Sequence, residues 1–413
     1  MPTTPPPPAP FRGRLLVLTG ILLAACNLRT AVTSITPLLE VIGAQFGFGA
    51  TAAGLLGMVP TAAFATAGVL TPRLAQRLDL ERTVLLAMAL AATGLLWRAL
   101  VGGTAGLFLA SATALLGMGI GNVVLPPLVK RYFPDRVGTL SALYITLLQV
   151  CTVMPALLAV PLAGAGGWRL SLGVWTVLAV LAMLPWLVQL QRIRRPAAGA
   201  EAAPELAAPA ERVRVWATPL GWGLALMFGM TSLITYALFT WLPKLMVEAG
   251  SSPAFGGTML ALFAGLGLFG SLAMPAVSSR MRNPFPVALL CAACHLSGFA
   301  GIYFAPLAAP LLWVALLGLG PSTFPLCLTL VNLRTRSPAT SSALSGFAQG
   351  CGYALSCLGP LLFGWLHERS HGWGLPFLFL TACVAVMLAG AWLACRPRML
   401  EEQLPARASL APA

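Results

Sequence analysis

The sequence predicts an all-α membrane protein whose twelve transmembrane helices form two pseudo-symmetric bundles of six, and three observations lead to this fold class. First, 58% of the 413 residues are hydrophobic and 9% are charged, whereas about a quarter are charged in an ordinary soluble domain. Second, the apolar residues fall into runs of the length that crosses a bilayer. Third, the second half of the chain repeats features of the first.

Apolar runs separated by short connections account for most of the chain. A helix needs about 20 mostly apolar residues to cross the hydrocarbon core. The longest connection, 191–215, is rich in Pro and Ala and divides the runs into two groups of six. We therefore expect bundles at 14–190 and 216–395, with cytoplasmic tails at 1–13 and 396–413. The predicted spans are 14–37, 52–71, 83–101, 105–127, 138–162, 169–190, 216–242, 255–276, 286–304, 308–331, 341–364 and 373–395.

Basic residues predict how these spans are oriented. With the N-terminus in the cytoplasm, 20 of the 25 Lys and Arg residues fall on the cytoplasmic side, and Arg98, Arg169, Lys244 and Arg369 fall outside. This asymmetry on short loops is typical of membrane proteins, and it predicts that both termini are cytoplasmic. The net charge of +14 does not indicate a nucleic-acid partner, because the basic residues form short clusters between apolar runs. We expect a multi-pass protein of a bacterial inner membrane.

The two halves of the chain repeat each other. The segment ALLGMGIG at Ala114–Gly121 matches ALLGLGPS at Ala315–Ser322, and a glutamine falls in the fifth span (Gln149) and again in the eleventh (Gln349). Two parallel repeats of six spans, joined by a cytoplasmic linker, resemble the architecture of major facilitator transporters. The resemblance implies the major facilitator fold, in which spans one, four, seven and ten line a central cavity, helped by spans two, five, eight and eleven.

The segment GVLTPRLAQRLDLER at Gly68–Arg82 resembles the signature loop between spans two and three of that superfamily. The acidic residue of the signature is displaced here to Asp79 and Glu81. The resemblance implies a cytoplasmic latch that forms and breaks as the halves move, and the alternative is positive-inside charge alone. The candidate gating residues are Arg73, Arg77, Asp79 and Arg82.

Arg29 lies midway along the otherwise apolar first span, beside Asn27. A guanidinium at membrane depth is costly, so it should face a polar cavity or have a partner. The predicted spans contain no clear Asp or Glu to pair with it. An unpaired positive charge suits an anionic or electron-rich polar substrate. The alternative is a structural arginine held by helix carbonyls and amide side chains.

Further polar side chains lie at membrane depth on spans four, five, seven and eleven, which the resemblance places around the cavity. As a set they predict a polar cavity, although each alone also fits a hydrogen bond between packed helices. Trp241 closes span seven, where it fits either an extracellular gate or an interfacial aromatic belt. The candidate substrate-binding residues are Asn27, Arg29, Asn122, Tyr144, Gln149, Tyr236, Trp241, Gln349 and Tyr353.

Enzymatic function is not indicated by any motif. The sequence has no Walker loop and, with three histidines in total, no metal-binding cluster, so we expect no catalytic residues, no cofactor and no metal. The absence of a central carboxylate in the predicted spans argues against a cation/proton antiporter. Protons remain a candidate coupling ion, and we expect a monomer.

Four segments carry a closer resemblance, which extends over nearly the whole chain. ACNLRTAVTSITPLL in span one, GNVVLPPLVKRYFPDRVG after span four, YALFTWLP in span seven and AQGCGYALSCLGPLLFG in span eleven resemble the cyanate permease and 2-nitroimidazole transporter family. Two departures are Thr30, where a proline commonly follows Asn-Leu-Arg, and 230–232, where a glutamine is expected. The resemblance marks Asn27, Arg29, Tyr236, Trp241, Gln349 and Tyr353 as site residues.

The resemblance implies a secondary transporter that moves a small polar or anionic solute, such as a cyanate-like anion or a small heteroaromatic compound, by alternating access. Arg29 would recognise charge in the central cavity. Two alternatives stay open: an exporter of neutral drug-like compounds, and a non-transporting membrane receptor on the same fold.

Overall fold

Helices make up nearly all of residues 14–133, 135–194, 214–336 and 338–403, which are the residues that the computed structural model describes. The predicted tail 1–13, residues 195–213 of the linker and residues 404–413 lie outside them. The first half contains α1 (Leu15–Asn27), α2 (Thr30–Thr33), α3 (Leu39–Phe46), α4 (Ala50–Leu78), α5 (Leu80–Leu100), α6 (Thr104–Tyr132), α7 (Val137–Gly173) and α8 (Trp175–Arg194). The second half contains α9 (Pro219–Glu248), α10 (Pro253–Ser279), α11 (Phe285–Phe304), α12 (Pro310–Leu319), α13 (Thr323–Leu333), α14 (Pro338–Ser356), α15 (Leu358–Ser370), α16 (Gly374–Cys395) and α17 (Leu400–Gln403).

Ten helical stretches among the described residues are long and apolar enough to cross a membrane. One of them, Leu143–Arg192, has 50 residues, about twice the length that a bilayer needs, and its backbone leaves helical geometry at Gly166 and Gly167. It covers the two spans predicted at 138–162 and 169–190. The span predicted at 341–364 corresponds to α14 and α15, which are not among the ten. The all-helical membrane fold is confirmed, and the number twelve stays a prediction.

Small residues let the helices of each half pack closely. A Cβ added at Gly117 would lie 2.4 Å from the carbonyl oxygen of Ala87 on the neighbouring helix, and one added at Gly318 would lie 3.0 Å from that of Phe263. These glycines are equivalent positions of the repeat Ala114–Gly121. In lipid, helix association depends on such close contacts, because lipid tails are as apolar as the side chains. The repeated sequence therefore allows the same close helix packing in both halves.

The two halves meet tightly at one end of the molecule, which we call the closed end. There α4 packs against α9 and α15 without space for a side chain: a Cβ at Gly54 would lie 2.6 Å from the Pro360 carbonyl oxygen, and one at Gly57 would lie 2.3 Å from Thr240 Oγ1. The indole N–H of Trp241 also donates to the Pro360 carbonyl at 2.9 Å. The glycine contacts join residues of the first half to residues of the second.

Polar contacts between the halves surround this packing. Lys244 Nζ lies 3.8 Å from the Glu40 carboxylate of the first half and 3.4 Å from that of Glu248. The Thr51 backbone N–H donates to the Glu368 carboxylate at 3.1 Å, and the Thr51 hydroxyl binds the same group. The closed end is thus held by both packing and charge.

The opposite end is open, and we call it the open end. A cavity of about 890 Å³, which we call the funnel, lies there between the halves. Its mouth includes Arg336, whose guanidinium pairs with Glu402 of the C-terminal helix α17 at 2.7 Å. The open end is therefore the end at which the described chain finishes.

Candidate functional site

The first membrane-crossing stretch is broken at Arg29. α1 ends at Asn27 and α2 begins at Thr30, and Arg29 lies between them with φ −128° and ψ −5°. Thr30 Oγ1 donates to the Asn27 carbonyl at 3.0 Å, and Thr33 Oγ1 donates to the Thr152 carbonyl on α7 at 2.9 Å. Hydroxyl groups supply such replacement hydrogen bonds where a span is interrupted. The span predicted at 14–37 therefore contains a break, and the break holds Arg29.

The side chains around the Arg29 guanidinium come from three other helices, two of which belong to the opposite half of the chain. Nη1 donates to the Tyr236 hydroxyl oxygen on α9 at 2.5 Å. The Tyr353 side chain on α14 lines the same cavity as Arg29. The Phe64 ring on α4 lies 5.2 Å from Cζ, within the range of a cation–π interaction. All three side chains are uncharged. Because arginine does not lose its proton in proteins, the site carries a positive charge.

Arg29 lines a central cavity of about 130 Å³ together with Gln149, Tyr236 and Tyr353. Four of the nine predicted substrate-binding residues thus meet in one place. Gln149 reaches the cavity beside Gly267, where an added Cβ would lie 3.0 Å from its Nε2. Arg29 is the one charged side chain among the described residues of the lining, which is otherwise aromatic, hydroxyl-bearing or small: Val32, Thr33, Thr152, Ser232, Thr235, Phe239, Phe263, Ala264, Gly267, Ser271, Gly318, Pro321, Phe324 and Pro325.

Asn122 and Gln349 line the funnel at the open end. Gln349 Nε2 donates to the Ser345 hydroxyl at 2.7 Å, which holds the amide against its own helix. Tyr353 lines both the funnel and the central cavity, so the two cavities adjoin at this residue.

The structure places three other candidates away from Arg29. Asn27 is fully buried, and its Nδ2 donates to the carbonyls of Leu23 at 3.0 Å and Leu178 at 3.2 Å, which ties α1 to α8. Tyr144 is buried in the core of the first half. Trp241 lines a vestibule of about 270 Å³ at the closed end. None of the three lines the central cavity described above.

The buried acidic residue at the junction of α4 and α5 is Glu81. It lies two positions beyond Asp79, the acidic residue of the gating prediction. Asp79 has φ +68° and links the helices, and its carbonyl accepts from Thr83. Glu81 is 2% exposed, accepts from the Tyr132 hydroxyl at 2.6 Å and lies 3.4 Å from Arg131 Nη1. The sequence offered Glu81 as a second candidate acid, and its two partners lie in the KRY segment at the end of α6. Arg73, Arg77 and Arg82 stay predictions as gating residues.

Arg98 is a buried cation that the sequence interpretation missed. The count of basic residues placed it on the outer side, but it lies within α5, is 1% exposed and donates from Nη1 to the Ala31 carbonyl at 3.0 Å. That carbonyl belongs to the short helix α2, whose last carbonyls lack partners within the helix. The only sign of this burial in the sequence is that Arg98 is not the last residue of its apolar run, because residues 99–101 follow it before the turn.

A class of protein is now defined: an all-helical membrane protein with two halves that meet around a central, cation-bearing cavity. Residues 21–357 match the Major Facilitator Superfamily. The chain is 32% identical over 375 residues to the 2-nitroimidazole transporter of Escherichia coli (strain K12), covering 89% of this chain and 92% of that protein. It is 29% identical over 376 residues to the cyanate transport protein CynX of the same organism, covering 91% and 94%.

A solved structure of similar fold is that of a bacterial homologue of the human lysosomal transporter Spinster in an inward-facing, occupied conformation. It has a TM-score of 0.75 at 15% identity and covers 97% of this chain and 100% of that one. The chain belongs to the Major Facilitator Superfamily, and the resemblance to the cyanate and 2-nitroimidazole transporters is confirmed. It is a multi-pass membrane transporter of small solutes and not an enzyme.

Proposed function

We propose that this chain transports a small, flat organic monoanion with a single ring, by alternating access of the central cavity to the two sides of the membrane. The observation that carries the proposal is the Arg29 guanidinium at the break in the first span, which donates to the Tyr236 hydroxyl and has no carboxylate among the described lining residues. An anion that enters the cavity would supply the missing negative charge.

The size and walls of the cavity support a ring rather than a triatomic anion. A cavity of about 150 Å³ holds a benzene molecule, and the central cavity is close to this volume at about 130 Å³. Five aromatic rings line it, and rings pack favourably against one another in edge-to-face arrangements. The lining rings belong to Tyr236, Phe239, Phe263, Phe324 and Tyr353.

The contacts of Arg29 support a role in coupling substrate binding to movement. Arg29 belongs to the first half of the chain, whereas Tyr236, which accepts its hydrogen bond, belongs to the second. A carboxylate that binds the guanidinium would compete with this hydroxyl and weaken a contact between the halves. Binding would then favour movement, as required of a ligand whose affinity differs between two states.

The orientation of the molecule in the membrane follows from the charge asymmetry of the loops. If both termini are cytoplasmic in a bacterial inner membrane, the funnel faces the cytoplasm and the closed end faces outward. The described conformation would then be the inward-facing state, with the gate at Lys244, Glu40, Thr51 and Glu368 shut.

The proposal is tested with two ligands of the same shape, benzoate and its uncharged amide, benzamide. The measurements are thermal unfolding of the detergent-purified protein and flux into proteoliposomes. A ligand at a hundred times its Kd stabilises the folded state by about 2.7 kcal/mol. We expect benzoate to stabilise the wild type, and Arg29→Gln to weaken benzoate binding by roughly tenfold to hundredfold, the worth of a charge-assisted hydrogen bond. Arg29→Lys should retain part of the binding.

A second candidate function is export of a neutral heteroaromatic compound. The aromatic walls favour it, and a relative that this chain covers over 92% of its length is named a 2-nitroimidazole transporter. If 2-nitroimidazole and benzamide stabilise the wild type and Arg29→Gln equally, while benzoate stabilises neither, this candidate replaces the first. Binding without flux in proteoliposomes would instead favour a receptor.

A further inference from the structure

We propose that Arg98 and Ser111 form a second anion-binding site, through which the substrate passes between the closed end and Arg29. The inference rests on the proposed anion transport and adds residues on α5 and α6 that neither the sequence pattern nor the family resemblance singled out.

Both side chains are buried with unsatisfied polar atoms. Arg98 and Ser111 are each 1% exposed, and neither Arg98 Nε nor Ser111 Oγ has a hydrogen-bond partner among the described residues. Arg98 uses Nη1 for the Ala31 carbonyl, which leaves other N–H groups of the guanidinium free of that contact. A buried charge of this kind is costly in a membrane, so an unsatisfied donor on it calls for an explanation.

The two side chains line the same small cavity. Its volume is about 20 Å³, which is room for about one water molecule. Gly57 and Thr240, which bring the halves into contact at the closed end, also line it. The cavity is therefore shut by the same contact that shuts the closed end, and separation of the halves there would widen it.

This small cavity lies between the central cavity and the vestibule at the closed end. It shares Tyr236 and Phe239 with the central cavity, and Thr36 and Thr240 with the vestibule. The three cavities thus form a series along the contact between the halves, in which neighbouring cavities share lining residues. A path from the closed end to Arg29 runs past Arg98.

Each cavity in the series contains a cation: Lys244 in the vestibule, Arg98 in the small cavity and Arg29 in the central one. Glu40, which lines the vestibule and pairs with Lys244 in this conformation, belongs to the other half of the chain, so separation of the halves at the closed end would part the two charges. A guanidinium presents several N–H donors in one plane, which matches a carboxylate, and the Ser111 hydroxyl adds a donor. An anion moving along the series would exchange one cation for the next and would not cross the apolar centre of the membrane without a partner.

The closing experiment compares three variants in proteoliposomes with benzoate as the probe. Arg98→Gln keeps an N–H donor for the Ala31 carbonyl and removes the charge, whereas Arg98→Lys keeps the charge. The matched control is Arg334→Gln, because Arg334 is also a buried arginine that donates to a carbonyl, that of Cys395 at 2.9 Å, and also has an unpartnered Nε, but lines none of the four cavities.

We expect Arg98→Gln to lower the initial rate of benzoate transport by about tenfold or more, since a hydrogen bond to a charged group is lost. The Kd of benzoate, measured from thermal stabilisation, should stay within about twofold of the wild-type value, because Arg29 is intact. Arg98→Lys should recover at least part of the rate, and Arg334→Gln should transport normally per folded protein.

The inference is wrong if Arg98→Gln transports normally, or if Arg98→Gln and Arg98→Lys lose transport equally. It is also wrong if Arg98→Gln has a lower melting temperature but a normal rate per folded molecule. Each of these results would mean that Arg98 only holds α2 in place. Failure of the proposed function is distinguished by the wild-type protein, which would then neither bind nor transport benzoate.

Discussion

Replacing Gly57 with alanine should push the two halves apart at the closed end. The added Cβ would lie 2.3 Å from Thr240 Oγ1, 2.7 Å from Thr240 Cγ2 and 2.9 Å from Pro360 Cβ. Carbon atoms in favourable contact are about 3.5–4.0 Å apart, so the methyl group overlaps its neighbours by roughly an ångström. Both neighbours belong to the second half of the chain, and the overlap is relieved when the halves separate.

The magnitude follows from the cost of overpacking, which is about 1–3 kcal/mol for a small-to-large change in a packed interior. If this cost applies to the closed state and not to the state that is open at this end, the ratio of the two populations changes by roughly 5- to 150-fold. Gly68→Ala is the matched control. It makes the same change on the same helix, where an added Cβ has nothing within 4 Å.

Hydrogen exchange read by mass spectrometry measures the outcome without new labels. In Gly57→Ala we expect faster exchange in α3, in the first turns of α4 and in α15, which form the closed end, with slower exchange around the funnel. Gly68→Ala should match the wild type. Faster exchange throughout Gly57→Ala would mean global destabilisation, and an unchanged profile would mean that the contact yields locally; either result refutes the reasoning.

Two further predictions concern the open end. Glu81→Gln should lower the free energy of unfolding by about 1–3 kcal/mol, because it removes the charge that Arg131 and Tyr132 contact, and an unchanged melting temperature would contradict this. Burial raises the pKa of the Glu401 carboxyl, but hydrogen bonds from the Thr340 hydroxyl and a backbone N–H lower its pKa overall. Its stabilisation is therefore complete above the ordinary pKa of a glutamate and is lost as the pH falls through the lowered value. Relative to the intrinsic exchange rate at each pH, acid should lower the protection of the α17 amides in the wild type and have little further effect in Glu401→Gln.

Sequence reasoning predicted the helices and part of the site for a physical reason. A membrane forces apolar residues into runs whose length is fixed by the bilayer, so the runs became the helices observed. A charge inside such a run must find a polar environment, and Arg29 does so. Gln149, Tyr236 and Tyr353 join it from distant parts of the chain because the polar residues of facing helices turn toward one another.

The sequence pattern could not predict which way each polar side chain faces around its helix. Asn27 and Tyr144 are polar residues at membrane depth, as the cavity prediction required, but their helix faces point into packing within the first half. Arg98 was placed outside because a charge near the end of an apolar run normally reaches the interface. Only the three-dimensional contact with the freed Ala31 carbonyl reveals its burial.

The choice of tyrosine rather than a carboxylate as the partner of Arg29 fits the needs of the proposed cycle. A transporter must bind its solute well enough to select it and weakly enough to release it, a balance known from channels. A buried carboxylate beside Arg29 would satisfy the guanidinium and exclude an anion. Arg29 without any partner would bind an anion too tightly to release it. The hydroxyl of Tyr236 lies between these limits, since a neutral acceptor is roughly half as strong as a charged one. An incoming anion therefore gains only the difference, and on its release the hydroxyl returns to the guanidinium and joins the halves again.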